Sequence, residues 1–380
     1  MTQEQKKTTA LEPSVAADEE QSSSKNTIES ISESSNQSNE PAAPWGNLRR
    51  RCRLLDPAYL HTVTMSELYD TVYSLRPSVV DGLLSAGVYI LAGAPKTGKS
   101  FLVAQIAYHV STGTPLWNYE VQEGTVLYLA LEDDFQRIQK RMYRMFGTNS
   151  TDNLVFAVAA KQLGSGLNEQ LQKFVREHPD TRLIIIDTLQ KIREAQGDKY
   201  SYANDYEIMG RLKQFADQNM ICILVVHHTR KQQAEDKFDR ISGTNGLLGA
   251  ADGALMLEKA KRTGNKATLD VSGRDQQDQC LTLVRDAERL IWKLESAETE
   301  LWEEPADPIL EEIAKLVTQQ NPEWNGSATE LAQLLDAKIQ PSSLTRHLNI
   351  QAGRLLQDYH VQYSRTRNHE GRWIKLELKS

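Results

Sequence analysis

The stretch VYILAGAPKTGKSFLVAQIAYHV, residues 88–110, decides how the rest of the chain is read. It opens on an apolar, β-prone run and closes on an amphipathic, helix-prone one, and GAPKTGKS between them, residues 93–100, fits G-x-x-x-x-G-K-[ST]. A glycine-rich turn from strand into helix lets successive backbone N–H groups curl around a phosphate, and the new helix adds its positive end. The pattern assigns a nucleotide-phosphate site to Gly93, Ala94, Pro95, Lys96, Thr97, Gly98, Lys99, Ser100 and Phe101. Lys99 is expected to reach the β- and γ-phosphates of ATP, and the Ser100 hydroxyl to ligate Mg²⁺.

Outward from that stretch, apolar runs alternate with amphipathic segments. VLYLAL (126–131), LVFAVA (154–159), LIIID (183–187) and CILVVH (222–227) read as strands, with crossover helices over 100–111 and 204–219. Continuous apolar runs suit strands buried on both faces, as a parallel sheet requires. After Ala254 the strands shorten to ALMLE, ATLDVSG, LTLVRD and RLIWKL, separated by GN, QQDQ and DAE, which predicts an antiparallel extension. The fold class expected is α/β, a mostly parallel sheet with an antiparallel extension, followed by a small C-terminal helical module.

Polar residues at the predicted strand ends supply the chemistry. Asp187 closes LIIID, the place from which a carboxylate holds Mg²⁺ through water. Glu132 closes VLYLAL and is placed to polarise a water attacking the γ-phosphate, with Asp133 as substitute, although Glu132, Asp133 and Asp134 together also read as an exposed acidic loop. After CILVVH, a histidine can sense the γ-phosphate, His228 ahead of His227; capping of the strand is the plainer reading.

The remaining chain divides by composition. Residues 1–45 are acidic and Ser-rich, with no sustained apolar period, and are expected to be a disordered tail; 46–80 form a lead-in, 81–298 the ATPase domain, 299–308 a charged linker and 309–380 a second domain. Residues 1–48 carry 3 Lys/Arg against 8 Asp/Glu, so the formal charge of −7 leaves the rest near −2. Any nucleic-acid contact therefore needs local patches. Cys52, Cys222 and Cys280 are too scattered for a zinc site or a disulfide set. No apolar run reaches a membrane-spanning length and no secretory leader is visible, so a cytoplasmic protein is expected.

Within 309–380, ILEEIAKLV, SATELAQLL and PSSLTRHLNIQAGRLL read as three helices before a hairpin around NHEGR, and Ser327 and Glu330 have capping-box spacing. The arrangement resembles a winged helix. Residues 338–380 hold 8 Lys/Arg against 3 Asp/Glu. Ser343, Arg346 and His347 beside the apolar Leu344, Leu348 and Leu355 would form a recognition surface, and Arg365, Arg367, His369 and Arg372 a basic wing. Such modules also bind proteins.

Taken together, GAPKTGKS, LYLALEDD, LIIIDTLQ, LVVHHTRK and SGRDQ, in this order, resemble the RepA-type, DnaB-like branch of the RecA-like P-loop ATPases, from Asp81 to Trp292. Those are hexameric replicative helicases and relatives on plasmids and mobile elements. The resemblance implies Glu132 as catalytic base, Asp187 as metal aspartate, His228 as sensor, Arg141 near the adenine, and Arg274 as a finger bridging subunits of a homo-oligomer, a hexamer. An exposed turn arginine is the plain alternative for Arg274. In a ring, single-stranded DNA would meet the loops after Asp187 (Lys191, Arg193, Lys199) and after His228 (Arg230, Lys231, Lys237, Arg240), although interleaved acids also suit solvated loops.

The function expected is an ATP-driven DNA motor, a helicase of mobile-element or plasmid replication. The alternative is an ATP-dependent DNA-binding regulator using the ATPase as a switch. A small-molecule phosphotransferase is disfavoured because no lid segment is evident.

Overall fold

A computed structural model describes residues 62–73, 75–193, 202–229, 246–259, 263–274, 276–299, 305–335, 339–368 and 371–379, with the single residues 58, 60, 238, 241 and 261. These belong to one compact unit within 37–380. The expected tail, Cys52, Lys199, and the cations Arg230, Lys231, Lys237, Arg240 and His369 lie outside the described residues.

In chain order the elements are α1 (Met65–Tyr69), β1 (Ser78–Val80), β2 (Leu84–Ser85), β3 (Gly87–Gly93), α2 (Lys99–Thr112), β4 (Thr125–Ala130), α3 (Phe135–Phe146), β5 (Leu154–Ala157), α4 (Leu167–Glu177), β6 (Thr181–Asp187), α5 (Leu189–Ile192), α6 (Tyr202–Asn219) and β7 (Cys222–His228). Then come α7 (Gly246–Ala250), β8 (Gly253–Glu258), β9 (Lys266–Gly273), β10 (Gln276–Arg285) and β11 (Trp292–Thr299). The C-terminal part holds α8 (Pro308–Leu316), β12 (Glu323–Ser327), α9 (Ala328–Leu334), α10 (Pro341–Tyr359), β13 (Val361–Asn368) and β14 (Gly371–Leu378).

A nine-stranded sheet in the order β11-β10-β9-β8-β3-β7-β6-β4-β5 forms the centre. From β8 through β5 its strands are parallel, whereas β9, β10 and β11 pair antiparallel. This is the α/β architecture expected, a mostly parallel sheet with an antiparallel extension, with one shift of boundary. ALMLE, expected in the antiparallel extension, is β8 and runs parallel to β3. QQDQ, expected as a turn, is the start of β10 and is absorbed by an irregular register between Gln276 and Gln279. LVFAVA is strand only as far as Ala157.

Every residue of β3 is buried, because the sheet is covered on both faces. Tyr89 and Leu91 join one core with α2, while Val88, Ile90 and Ala92 join another with α4 and α6. Period-two alternation thus sends one strand into two cores.

A third core gathers Leu310, Ile313, Leu331, Leu344, Leu348, Leu355, Val361, Ile374 and Leu376. The Ser327–Glu330 capping box forms at α9. The hairpin β13–β14 closes with Asn368 opposite Gly371, and EWNGS adds β12, giving the sheet order β12-β14-β13. That third strand is invisible in the sequence pattern, since Asn325 and Gly326 are weak strand formers held by pairing with β14. Among the described residues no helix is long and apolar enough to cross a membrane.

Candidate nucleotide site

Strand register brings the expected chemistry to one edge of the sheet. Gly93 lies opposite His228, Asp187 opposite Val226, and Ala130 opposite Asp187, so β3, β7, β6 and β4 end together. The phosphate loop leaves β3 there and enters α2 through Gly98, whose φ of 107° favours glycine. A β-carbon on Gly98 would also stand 2.9 Å from the Trp292 ring, and one on Gly93 would strike the Leu257 carbonyl.

Lys99 is buried, and its Nζ donates to the carbonyls of Gly93 (2.7 Å) and Ala94 (3.0 Å). It lies 3.0 Å from Nδ1 of His228. Burial pulls the Lys99 ammonium down to about 8, with the charges of Asp187 and Glu132 opposing. Burial, then the Lys99 charge, holds the His228 imidazolium below its ordinary range. A neutral ring with its proton on Nε2 can therefore accept from Lys99 at Nδ1. Of the two histidines, His228 is the one at the phosphate lysine.

Asp187 ends β6 and is buried; its peptide bond to Thr188 is cis. Burial pushes its carboxyl above the usual carboxylate range, while hydrogen bonds from Ser100 and Tyr128 pull the other way. The Tyr128 hydroxyl donates to Oδ2 at 3.0 Å. Ser100 and Asp187 thus form an all-oxygen pair, the donor chemistry that Mg²⁺ takes when phosphates and water complete its shell. When bound, that ion would neutralise phosphate charge. Among the described residues no cluster of three or more His, Cys, Asp or Glu could hold a metal by itself.

The three consecutive acids separate into three environments. Glu132 accepts from the Thr188 hydroxyl at 3.1 Å and is close enough to Lys99 to act on its charge. Asp133 is paired with Arg141 at 2.7 Å, both side chains mostly buried. Asp134 caps α3 by accepting from the Arg137 amide at 2.8 Å. Only Glu132 is left facing the loop, so the substitute considered for it, Asp133, is committed elsewhere.

Arg141 also stands 5.2 Å from the Phe101 ring, and Arg285, which the sequence did not single out, stands 4.2 Å from it. Arg285 and Lys259 lie within 5.7 Å and 5.5 Å of the Trp292 ring. Burial lowers the affinity of both for their protons, helped by the Arg285 charge at Lys259 and by the Arg144 charge at Arg285. Tyr128, Trp292 and Arg285 are the site's unforeseen members. Tyr128 and Trp292 read as core aromatics, and Arg285 as a strand-end charge.

Arg274 is not at this site. It follows Gly273, which pairs with Gly253 at the start of β8, whereas the loop lies beyond Ala92, opposite Met256. It is exposed at the opposite sheet edge, donating to the Gly249 carbonyl at 2.6 Å, and can reach a phosphate loop only on another copy of the chain.

Two expectations about DNA-facing cations need correction. Arg193, expected on a mobile loop, is buried and paired with Asp205 at 2.7 Å, because the chain after β6 turns under α6. Arg346 does face outward from α10 but is ion-paired within the chain, and His347, expected beside it, is half-buried. Arg346 Nε meets Asp70 at 3.1 Å, and His347 Nε2 meets Asp307 at 2.7 Å. Lys191 and Ser343 do remain exposed.

Comparison with known proteins adds the following. Residues 49–234 match the family described as AAA domain, just under half of the chain. That stretch contains the phosphate loop, Glu132, Asp187 and His228 but stops short of Leu257 and Trp292. The DNA repair protein RadA of Aquifex aeolicus (strain VF5) is 26% identical over 187 residues, 49% of this chain and 36% of that protein, so the chain spans about a third of its length. A DnaB-like replicative helicase, solved with its interactions with primase, is similar over 67% of this chain and 68% of its own, at 15% identity and TM-score 0.47. A KaiC-like protein of Pyrococcus horikoshii OT3 is similar over 59% of this chain and all of its own, at 11% identity and TM-score 0.42.

Proposed function

We propose that this chain hydrolyses ATP with Mg²⁺ and uses the energy on DNA, as a helicase-type motor of mobile-element or plasmid replication. The observation that carries the reading is the convergence of Lys99, Glu132, Asp187 and His228 on one edge of a parallel sheet. Phosphates entering the loop replace the two carbonyls and His228 around Lys99. Glu132, steadied by Thr188, orients and deprotonates the attacking water; His228, released from Lys99, registers the γ-phosphate and passes its loss into β7. The adenine and ribose lie on the Phe101, Arg141 and Arg285 side. Phosphate contacts and orientation supply most of the acceleration in such reactions.

Arg274, on the far edge, completes the site of a neighbouring copy, so the working form is a homo-oligomeric ring, a hexamer. Single-stranded DNA lies against α5, the short helix that carries Lys191. The three helices and three-stranded sheet of 309–380 form a winged helix that binds duplex DNA.

The test is ATP turnover and strand separation with single- and double-stranded DNA, with Lys99→Ala as blank. Turnover stimulated by single-stranded DNA together with unwinding is expected. Turnover indifferent to DNA overturns the motor, and duplex binding without unwinding moves the assignment to an ATP-switched DNA-binding regulator. A strict monomer in native mass measurements with ATP removes the role given to Arg274.

A further inference from the structure

Two arginines of the C-terminal basic surface, Arg346 and Arg365, are already engaged by another part of the chain. Asp70, just past α1, accepts from Arg346 Nε of α10 at 3.1 Å through its carboxylate, and its carbonyl accepts from the Arg365 guanidinium of β13. The neighbouring Tyr69 carbonyl accepts from Asn349 Nδ2 at 3.0 Å. Asn349 is 2% exposed and is fixed from behind by the Tyr363 hydroxyl, which donates to its Oδ1 at 3.0 Å. Three oxygens from two adjacent residues thus meet two arginines and an amide. That is the donor set by which proteins hold a nucleic-acid backbone.

Shape and charge agree with this arrangement. Gly353, one turn along the same face of α10, leaves no room for a β-carbon because the Leu75 side chain lies against it. Residues 62–75 contain two acids, Glu67 and Asp70, and no Lys or Arg, whereas 338–380 carry 8 Lys/Arg against 3 Asp/Glu. Helix α1 has five residues, none of them buried, too short to persist without its neighbours. The Arg346 and Asp70 side chains are 44% and 43% exposed, so water and competing anions reach them. The segment is charged correctly to sit there and weakly enough held to leave.

We infer that the acidic segment around Asp70 stands in for a DNA phosphate on α10, so that duplex DNA and residues 62–75 compete for Arg346 and Arg365. The inference rests on the reading of 309–380 as a duplex-binding module. Binding of duplex then frees the lead-in, which enters the phosphate-loop sheet through β1 to β3, and a masked C-terminal surface becomes an available one.

The test measures affinity of the full chain for a fluorescein-labelled duplex by anisotropy at fixed salt, without nucleotide. Asp70→Ala removes the competing carboxylate, and Gly353→Ala displaces Leu75 without altering any charge while favouring the helix. Each is expected to tighten binding by about two- to fivefold, the range set by one exposed ion pair. Arg346→Ala with Arg365→Ala is expected to weaken it. Hydrogen exchange at the amides of Leu68, Asp70 and Thr71, which are bonded within the segment, is expected to speed up when duplex is added.

If the double arginine variant binds duplex like wild type, the duplex-binding reading itself fails. If that variant binds weakly but neither Asp70→Ala nor Gly353→Ala tightens binding, the competition is wrong and the contact is a brace. Unchanged exchange in 62–75 on saturation with duplex likewise overturns the competition.

Discussion

Replacing Tyr128 by Phe tests the proposed metal site without touching any residue proposed to meet the nucleotide. The Tyr128 hydroxyl is fully buried and donates to Asp187 Oδ2 at 3.0 Å, and burial already raises the Asp187 carboxyl. Removing this donor withdraws a hydrogen bond to a charged group, which is about 1.5–3 kcal/mol in favour of the carboxylate. The Asp187 carboxyl therefore rises further above the usual carboxylate range. The acid limb of Mg²⁺-dependent ATP turnover should move to higher pH, with activity recovering at alkaline pH because the carboxylate then forms without help. Mg²⁺-dependent binding of a fluorescent ATP analogue should show the same displacement. An acid limb that coincides with wild type, in a variant of undiminished melting temperature, would refute the claim that Tyr128 holds Asp187 in its charged form.

Three further outcomes follow from the geometry. Lys99 titrates at about 8 when folded against an ordinary 10.5, so its charge opposes folding fully below pH 8 and the penalty fades as pH rises toward 10.5. Bound phosphates restore the ammonium, so calorimetry in two buffers of different ionisation enthalpy at about pH 9 should show uptake of up to one proton, and none in Lys99→Ala. Trp292→Ala removes the wall behind Gly98 and should cost about 3–5 kcal/mol in denaturant unfolding, with nucleotide affinity falling alongside; unchanged affinity would mean that the loop holds its own shape. Arg193→Ala takes the ion-pair partner from the buried Asp205 and should cost up to about 3–5 kcal/mol, read as a lower melting temperature; a weakened affinity for DNA at full stability would return Arg193 to the DNA-facing set.

How much of this could be read in the sequence depends on how local the cause is. The loop, the strand ends and the capping box at Ser327 are set by residues within a turn or two of each other, and the structure places them as expected. Direction of a strand is set by its neighbours, so ALMLE could be recognised as a strand but not as a parallel one. The acids at 132–134 could be seen as a group, yet their separation required Thr188, Arg141 and the start of α3, the first of which comes from elsewhere in the chain. Arg193 fails for the opposite reason. A cation in a polar stretch reads as exposed, and only the fold brings Asp205 over it; Arg346 does stay exposed, and what the sequence hid is its partner Asp70.

The Trp292 indole that backs Gly98 is 194 residues downstream of it. During synthesis the glycine-rich turn therefore leaves the ribosome long before the strand that shapes it exists, and the chain spends that interval with the motif present but its rear support missing. A fragment cut at the end of the family match, near residue 234, would be frozen in that same interval. The wall behind Gly98 is thus complete only when β11 has paired, so the last strand of the sheet finishes the setting of the first motif of the sequence.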